Sequence, residues 1–182
     1  MIVITGAAGF IGSCLSHYLY RNFDDSLMLV DHFCGRKTNN YDSLACKRMD
    51  RSEFIKWFEK TDEDIQWVLH LGARTDTTES NTQIFNELNL DYSKSIAKIC
   101  AVKNIPLIYA SSAATYGNGS SGFSDELLAS ELNPLNPYGH SKNDFDAFMQ
   151  AQNFENQWCG LCLLYTSPSP RDATLSRMPS SA

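Results

Sequence analysis

Short apolar runs alternate with amphipathic stretches along most of the chain. Ile2 to Ile4 forms the first run, and Ile11, Leu15, Tyr18 and Leu19 then recur at helical spacing until the pattern fades at Asn22 to Asp25. A second run, Leu27 to Val30, ends at Asp31. Arg51 to Lys60 carries Phe54, Trp57 and Phe58 on one helical face, which predicts a surface helix with its aromatics turned inward. Ile65 to Leu71 (IQWVLHL) reads as a buried strand whose His70 is a core histidine rather than a catalyst. Asn81 to Lys103 shows one long helical pattern through Ile84, Leu88, Tyr92, Ile96, Ile99 and Cys100, closed by Asn104. A strand at Ile105 to Ala110 follows, then SSAATYG, a polar loop from Gly117 to Asn136, and a helix over Tyr138 to Gln152 with Phe145 and Phe148 among its buried positions. Strands alternating with helices predict an α/β fold with a doubly wound parallel sheet, whose ligands bind beyond the carboxyl ends of the strands.

The first strand-to-helix junction, MIVITGAAGFIG, sharpens that prediction to a dinucleotide-binding Rossmann unit. Gly6 lets the chain reverse, Gly9 leaves no Cβ between backbone and ligand, and Gly12 lets the helix pack close to the strand. The N–H groups at the helix start then face a pyrophosphate. Asp31, at the end of the next strand, is placed to accept from the adenosine ribose hydroxyls. Arg36 and Lys37 fall where a ribose 2′-phosphate would lie, which favours NADP; the same loop reads equally as a solvated basic surface, so NAD stays open. Gly72 and Ala73 are small residues against which a dinucleotide could rest.

Chemistry is suggested by three side chains. Tyr138 and Lys142 are four residues apart and share a helix face, and Ser112 stands at a strand end on the ligand side of the sheet, beside Ser111. A free phenol ionises near pH 10, too high for a base at neutral pH. A neighbouring ammonium and a cationic nicotinamide favour the phenolate. A serine hydroxyl nearby would orient a sugar hydroxyl whose proton the phenolate takes. A Tyr–Lys pair alone is common on solvated helices; glycine turn, acid, strand-end serine and YGHSK in this order make the redox reading the better one.

Composition narrows the class. At 182 residues the chain suits one domain with a sizeable core, and 43% hydrophobic and 20% charged residues are ordinary for a globular protein. A net charge of −6 argues against a nucleic-acid partner or an anionic membrane surface. No basic leader or long apolar segment is seen, so the expected location is cytoplasmic, with no membrane partner. The six cysteines are scattered, as reduced thiols would be, and Cys159 and Cys162, although a C-x-x-C, lack a second pair, so no metal site is expected.

With these motifs in place, the sequence resembles the extended short-chain dehydrogenases/reductases, the group of nucleotide-sugar epimerases and dehydratases, through TGAAGFIG, LGARTDTTE, YASSAATYG and NPYGHSKNDFD, over Met1 to about Leu161. The wording of TDTTE and SSAATYG points within that group to an epimerase of an ADP-sugar. The resemblance implies an isomerase that holds NADP or NAD tightly, transiently oxidises a sugar alcohol to a carbonyl and re-reduces it on its other face. By position it implies Tyr138 as acid/base, Ser112 orienting the reacting hydroxyl, and Lys142 holding the nicotinamide ribose and tuning Tyr138. It also implies Gly6, Gly9, Phe10, Ile11 and Gly12 at the pyrophosphate, and Asp31, His32 and Lys37 at the adenosine end. Leu71, Gly72, Ala73 and Arg74 would lie along the dinucleotide, with Asn89 as a helix contact near the cofactor. Two rivals stay in view. A 4-epimerase or 4,6-dehydratase is one, although Ala113 and Ala114 stand where a dehydratase carries an acidic pair; a non-catalytic dinucleotide-binding protein is the other.

After Leu161 the text departs from the family. CLLYTSPSPRDATLSRMPSSA, with Pro168, Pro170 and Pro179 and no apolar periodicity, reads as a non-native, disordered-type tail over 162–182. The expectation is therefore a dinucleotide-binding domain over 1–161, incomplete at its end, with the family's substrate domain and second catalytic base absent and the chain inactive in epimerisation; self-association belongs to the full-length form.

Overall fold

Ile2–Thr5 (β1), an apolar run buried along its whole length, occupies the middle of a parallel six-stranded sheet. The computed structural model describes residues 1–33, 40–152, 154 and 157–163. Around β1 lie Leu27–Asp31 (β2), Lys47–Asp50 (β3), Trp67–His70 (β4), Leu107–Ser112 (β5) and Trp158–Leu163 (β6), in the order β3-β2-β1-β4-β5-β6. β1 pairs with β2 through Ile2 and Leu27 and with β4 through Ile2 and Trp67, so strand order reverses beside β1 and opens a crevice at the carboxyl ends of β1 and β4.

Helices cover the sheet: Phe10–Asn22 (α1), Arg51–Lys60 (α2), Thr82–Phe85 (α3), Tyr92–Lys103 (α4) and Pro137–Ala151 (α5). Successive strand residues point to opposite faces, and the core divides accordingly. Val3, Met28, Val30 and Val68 pack with Phe54 and Phe58 of α2, Ile96 of α4, and Phe145 and Met149 of α5. Ile2, Ile4, Leu27 and Leu29 pack on the other face with Ala7, Ala8, Tyr41 and Leu44.

Most expected elements stand where the pattern put them, and α2 has the expected bounds. Four differ. The strand expected over Ile65 to Leu71 is confined to Trp67–His70. The long helix expected over Asn81 to Lys103 is interrupted, because Asn86–Asp91 forms a π-helical turn between α3 and α4. β5 runs through Ser111 and Ser112, which pair with Cys162 and Leu163, so β6 carries past Leu161 by two residues. β3 had no apolar signal: its sequence is KRMD, and Lys47 and Arg48 are exposed at the sheet edge.

Candidate active site

The β1–α1 turn owes its shape to missing side chains. Gly6 has φ +70°, and a Cβ there would lie 2.6 Å from both Cα and N of Gly72; one on Gly12 would lie 2.2 Å from the Gly6 carbonyl oxygen. Gly9 donates its N–H to the Gly6 oxygen at 3.0 Å and stands at the N-cap of α1 with no side-chain cap, so nothing of its own covers the first turn's N–H groups. Phe10 and Ile11, which open α1, are exposed at 64% and 48%, unusual for large apolar side chains beside a backbone cradle.

Asp31 closes this half. Its Oδ2 accepts from Ala8 N at 2.9 Å and its Oδ1 from His32 N at 2.7 Å, which fixes the carboxylate while leaving lone pairs to accept from ligand hydroxyls. The His32 ring meets Asp50 at 3.0 Å, and Asp50, which also accepts from Ser52 N and Oγ at the start of α2, is held down to about 2 mainly by those Ser52 bonds and next by His32. Lys37, and with it the 2′-phosphate expectation, lies outside the described residues.

Behind the crevice runs a buried hydrogen-bond chain. Gly72 N–H donates to Thr5 Oγ1 (3.2 Å), Thr5 and His70 Nδ1 are 2.6 Å apart, His70 Nε2 and Ser93 Oγ are 2.8 Å apart, and Ser93 donates to the Asn89 carbonyl. Because Ser93 spends its proton on Asn89, the consistent assignment puts the imidazole proton on Nε2 and has Thr5 donate to Nδ1. Burial, assisted by the Lys142 charge, pushes His70 down to about 3, so it is neutral at ordinary pH. His70 is thus the satisfied core histidine expected.

Asn89 itself projects from the π-helical turn. Its side chain accepts from Arg74 N (2.7 Å), donates to the Arg74 carbonyl (3.0 Å), and reaches Ser141 on α5 (3.0 Å). The extra residue of the turn aims this amide at a backbone segment, a recurring use of such turns near functional sites. Leu71, Gly72, Ala73 and Arg74 are thereby tied to both β1 and α5, while the Arg74 guanidinium pairs with Asp76 at 3.2 Å.

The second half of the crevice is built by β5, the 3₁₀ turn Ala113–Tyr116 and α5. α5 starts cleanly because Asn136 caps it, accepting from Gly139 N at 2.7 Å, and Pro137 occupies the first turn. Gly139 lies against the 3₁₀ turn: a Cβ there would be 2.7 Å from the Ala114 carbonyl oxygen. That close approach sets Tyr138 beside the turn headed by Ser112, with its ring 6.4 Å from that of Phe85. Ser112 Oγ accepts from Ala114 N at 3.2 Å, which leaves its own O–H to donate. Lys142 is 5% exposed and donates from Nζ to the Ala110 carbonyl at 2.8 Å, with further N–H bonds to give. Burial pulls this ammonium down to about 8, against the opposing charge of Asp146.

All the expected site residues among those described therefore sit along one edge of the sheet. Ser111 faces away from Ser112, since adjacent strand residues point opposite ways, and its Oγ donates to Asp146 at 2.5 Å. Asp146, Ser141, Thr5 and Ser93 were not singled out from the sequence; only Asp146 carried a signal, being the third member of the series Tyr138, Lys142, Asp146 at steps of four. Cys14, Cys46, Cys100, Cys159 and Cys162 are free thiols, no acidic, histidine or cysteine cluster suited to a metal occurs among the described residues, and no helix there is long and apolar enough to cross a membrane. The cradle fits a dinucleotide on its own geometry, since the glycines clear the space, the helix start supplies N–H donors, and Asp31 stands one strand away.

Comparison with known proteins agrees with that geometry. The ADP-L-glycero-D-manno-heptose-6-epimerase of Fusobacterium nucleatum is 37% identical over 172 residues, covering 88% of this chain and 51% of its own length. That of Alkalilimnicola ehrlichii is 39% identical over 155 residues, covering 82% and 47%. The chain thus spans about half the length of the curated relatives it matches. The crystal structure of the Helicobacter pylori ADP-L-glycero-D-manno-heptose-6-epimerase superposes with a TM-score of 0.74 at 27% identity, over 88% of this chain and 54% of that one. The UDP-glucuronic acid 4-epimerase of Bacillus cereus, in complex with UDP-glucuronic acid and NAD, gives 0.73 at 29% identity, over 88% and 55%. Residues 2–177 match the NAD dependent epimerase/dehydratase family, and the chain belongs to it.

Proposed function

We propose that this chain is the cofactor-binding half of an epimerase that inverts C6″ of ADP-D-glycero-D-manno-heptose, with NADP as the resident cofactor. What supports the reading is a glycine cradle at the end of β1 and, on the same side of the sheet, Ser112 at the end of β5 and the α5 helix that carries Tyr138 and Lys142 one turn apart, together with relatives named for that reaction. When bound, the nicotinamide supplies a reversible acceptor for the hydrogen of the sugar carbon. The N–H groups opening α1 hold the pyrophosphate, and Asp31 accepts from the adenosine ribose. Lys142 gives its remaining N–H bonds to the other ribose, and its charge favours the phenolate of Tyr138. Ser112 donates its O–H to the reacting sugar oxygen, and Tyr138 exchanges a proton with that oxygen on one face of the sugar. Cofactor binding belongs to this half; inversion requires the remaining length that the relatives possess.

A UDP-sugar 4-epimerase is the second reading, favoured by the likeness to the Bacillus cereus enzyme. One experiment separates them. The full-length protein is incubated in D2O with ADP-heptose and, separately, with UDP-glucose, and products are read by proton NMR. Inversion at C6″ without deuterium at that carbon supports the proposal, because the same hydrogen returns. Deuterium at C6″, or inversion at C4″ of the UDP-sugar alone, overturns it.

A further inference from the structure

Asp146 has no place in the reaction as described, yet it is built into the site's floor. It follows Lys142 by one helical turn, as Lys142 follows Tyr138, so the three residues form a single stripe along α5. Lys142 and Asp146 grip consecutive residues of β5: Lys142 Nζ holds the Ala110 carbonyl at 2.8 Å, and Asp146 Oδ2 accepts from Ser111 Oγ at 2.5 Å. The next residue on the strand is Ser112. Asp146 Oδ1 is also buried and makes no hydrogen bond. A buried carboxylate oxygen without a hydrogen bond is costly, and a neighbouring positive charge offsets part of that cost.

A buried ammonium is the second unusual feature, because burial favours its neutral form. Asp146 is the acidic group whose charge opposes that effect on Lys142. Reciprocally, burial raises the Asp146 carboxyl while Ser111, Tyr109 and Lys142 hold it down. Three ionisable groups that face the pair from the sheet keep their charge between pH 6 and 8. His70, from β4, is already neutral there; Tyr109, from β5, is pushed up by burial; Cys162, from β6, is raised by burial and by Asp125.

We propose that Asp146 is a positioning residue: its carboxylate, anchored on Ser111, keeps the Lys142 ammonium charged and holds the strand end that carries Ser112 against α5. The proposal deepens the epimerase reading by giving its lysine a fixed counter-charge, and it rests on that reading only for the role of Lys142 and Ser112.

The test reads the lysine itself. The 182-residue chain is labelled with 13C at lysine Cε and at aspartate Cγ, and Lys142 and Asp146 are followed by NMR from pH 5 to 10, without cofactor or sugar. In the wild type the Lys142 midpoint should fall near 8, with Asp146 ionised at pH 7. Asp146→Asn should lower the Lys142 midpoint by about one unit, a tenfold change in the ionisation constant. Asp146→Glu should recover at least half of that shift, and Ser111→Ala, which keeps the charge, should move Lys142 less than Asp146→Asn does. An unchanged Lys142 midpoint in folded Asp146→Asn overturns the proposal. Should that variant not fold, the wild-type carboxyl signal decides: a protonated Asp146 at pH 7 overturns it too. Because no substrate is present, failure here leaves the epimerase reading standing, and failure of that reading leaves this result unaffected.

Discussion

At the β1 end of the site the chain makes room by leaving atoms out, whereas at the β5 end it fills the space with buried ionisable groups. Gly6, Gly12 and Gly72 bring three backbone segments within what would be clashing distance of any side chain, and the cradle they form has no titratable member. Lys142, Asp146 and Ser111 instead hold strand to helix through charge and hydrogen bonds in a poorly solvated interior. The first arrangement is steric and indifferent to pH. The second depends on protonation, because removing a charge or a partner from low dielectric is expensive. A backbone cradle suits a phosphate group common to many cofactors, while tunable charge suits proton transfer.

Gly12→Ala tests the steric end and should have the largest effect. Its Cβ would lie 2.2 Å from the Gly6 carbonyl oxygen, so the helix must move away from the strand, at a cost of about 3 kcal/mol in stability. Urea unfolding at pH 7 checks this, and the cost should be the same at pH 6 and pH 8. Wild-type stability in this variant would remove the steric half of the contrast.

The charged end should reveal itself through pH. Lys142 gives up its proton near 8 in the folded chain and near 10.5 when unfolded, so the unfolded state binds more protons in between, and stability rises with pH there. The slope is at most about 1.4 kcal/mol per pH unit, and Lys142→Met should flatten it between pH 8 and 9.5. His70 has the same sign in another window. Held neutral down to about 3 against an ordinary 6.5, it makes stability fall as pH drops from 6.5 toward 3. His70→Gln should flatten this acid slope by up to about 1.4 kcal/mol per pH unit, measured as the difference from wild type.

The smallest effect is expected outside both regions. Asn104 ends α4 with φ 58°, a left-handed residue, and Asn104→Ala should cost about 1 kcal/mol without changing the pH slopes. Thermal melts at pH 6, 7.5 and 9 would show whether the loss is uniform.

The same contrast explains what could be read from the sequence. The cradle was legible because a reversal at φ +70° beside a packed helix leaves little choice but glycine, so Gly6, Gly9 and Gly12 announce it directly. Tyr138 and Lys142 were legible because a helical step of four is a strong constraint. The buried networks were not. Thr5, His70 and Ser93 are far apart in sequence and meet only through the pairing of β1 with β4 and the docking of α4. The π-helical turn adds one residue to a run whose apolar spacing still looks helical, which hid the reason Asn89 reaches Arg74. β3 was invisible because an edge strand with a KRMD sequence buries little, and the pattern records burial.

The central claim is that a dinucleotide spans the two ends, with its pyrophosphate at the start of α1 and its nicotinamide beside Tyr138. A crystal structure of the chain with NADP tests this most directly. The account predicts phosphate oxygens within hydrogen-bonding distance of the N–H groups of Phe10 and Ile11, and leaves between the nicotinamide C4 and the Tyr138 hydroxyl only the room for one sugar alcohol, each reacting contact at about 3.5 Å. A nucleotide bound elsewhere, or a nicotinamide turned away from Tyr138 with its ring in solvent, would contradict it.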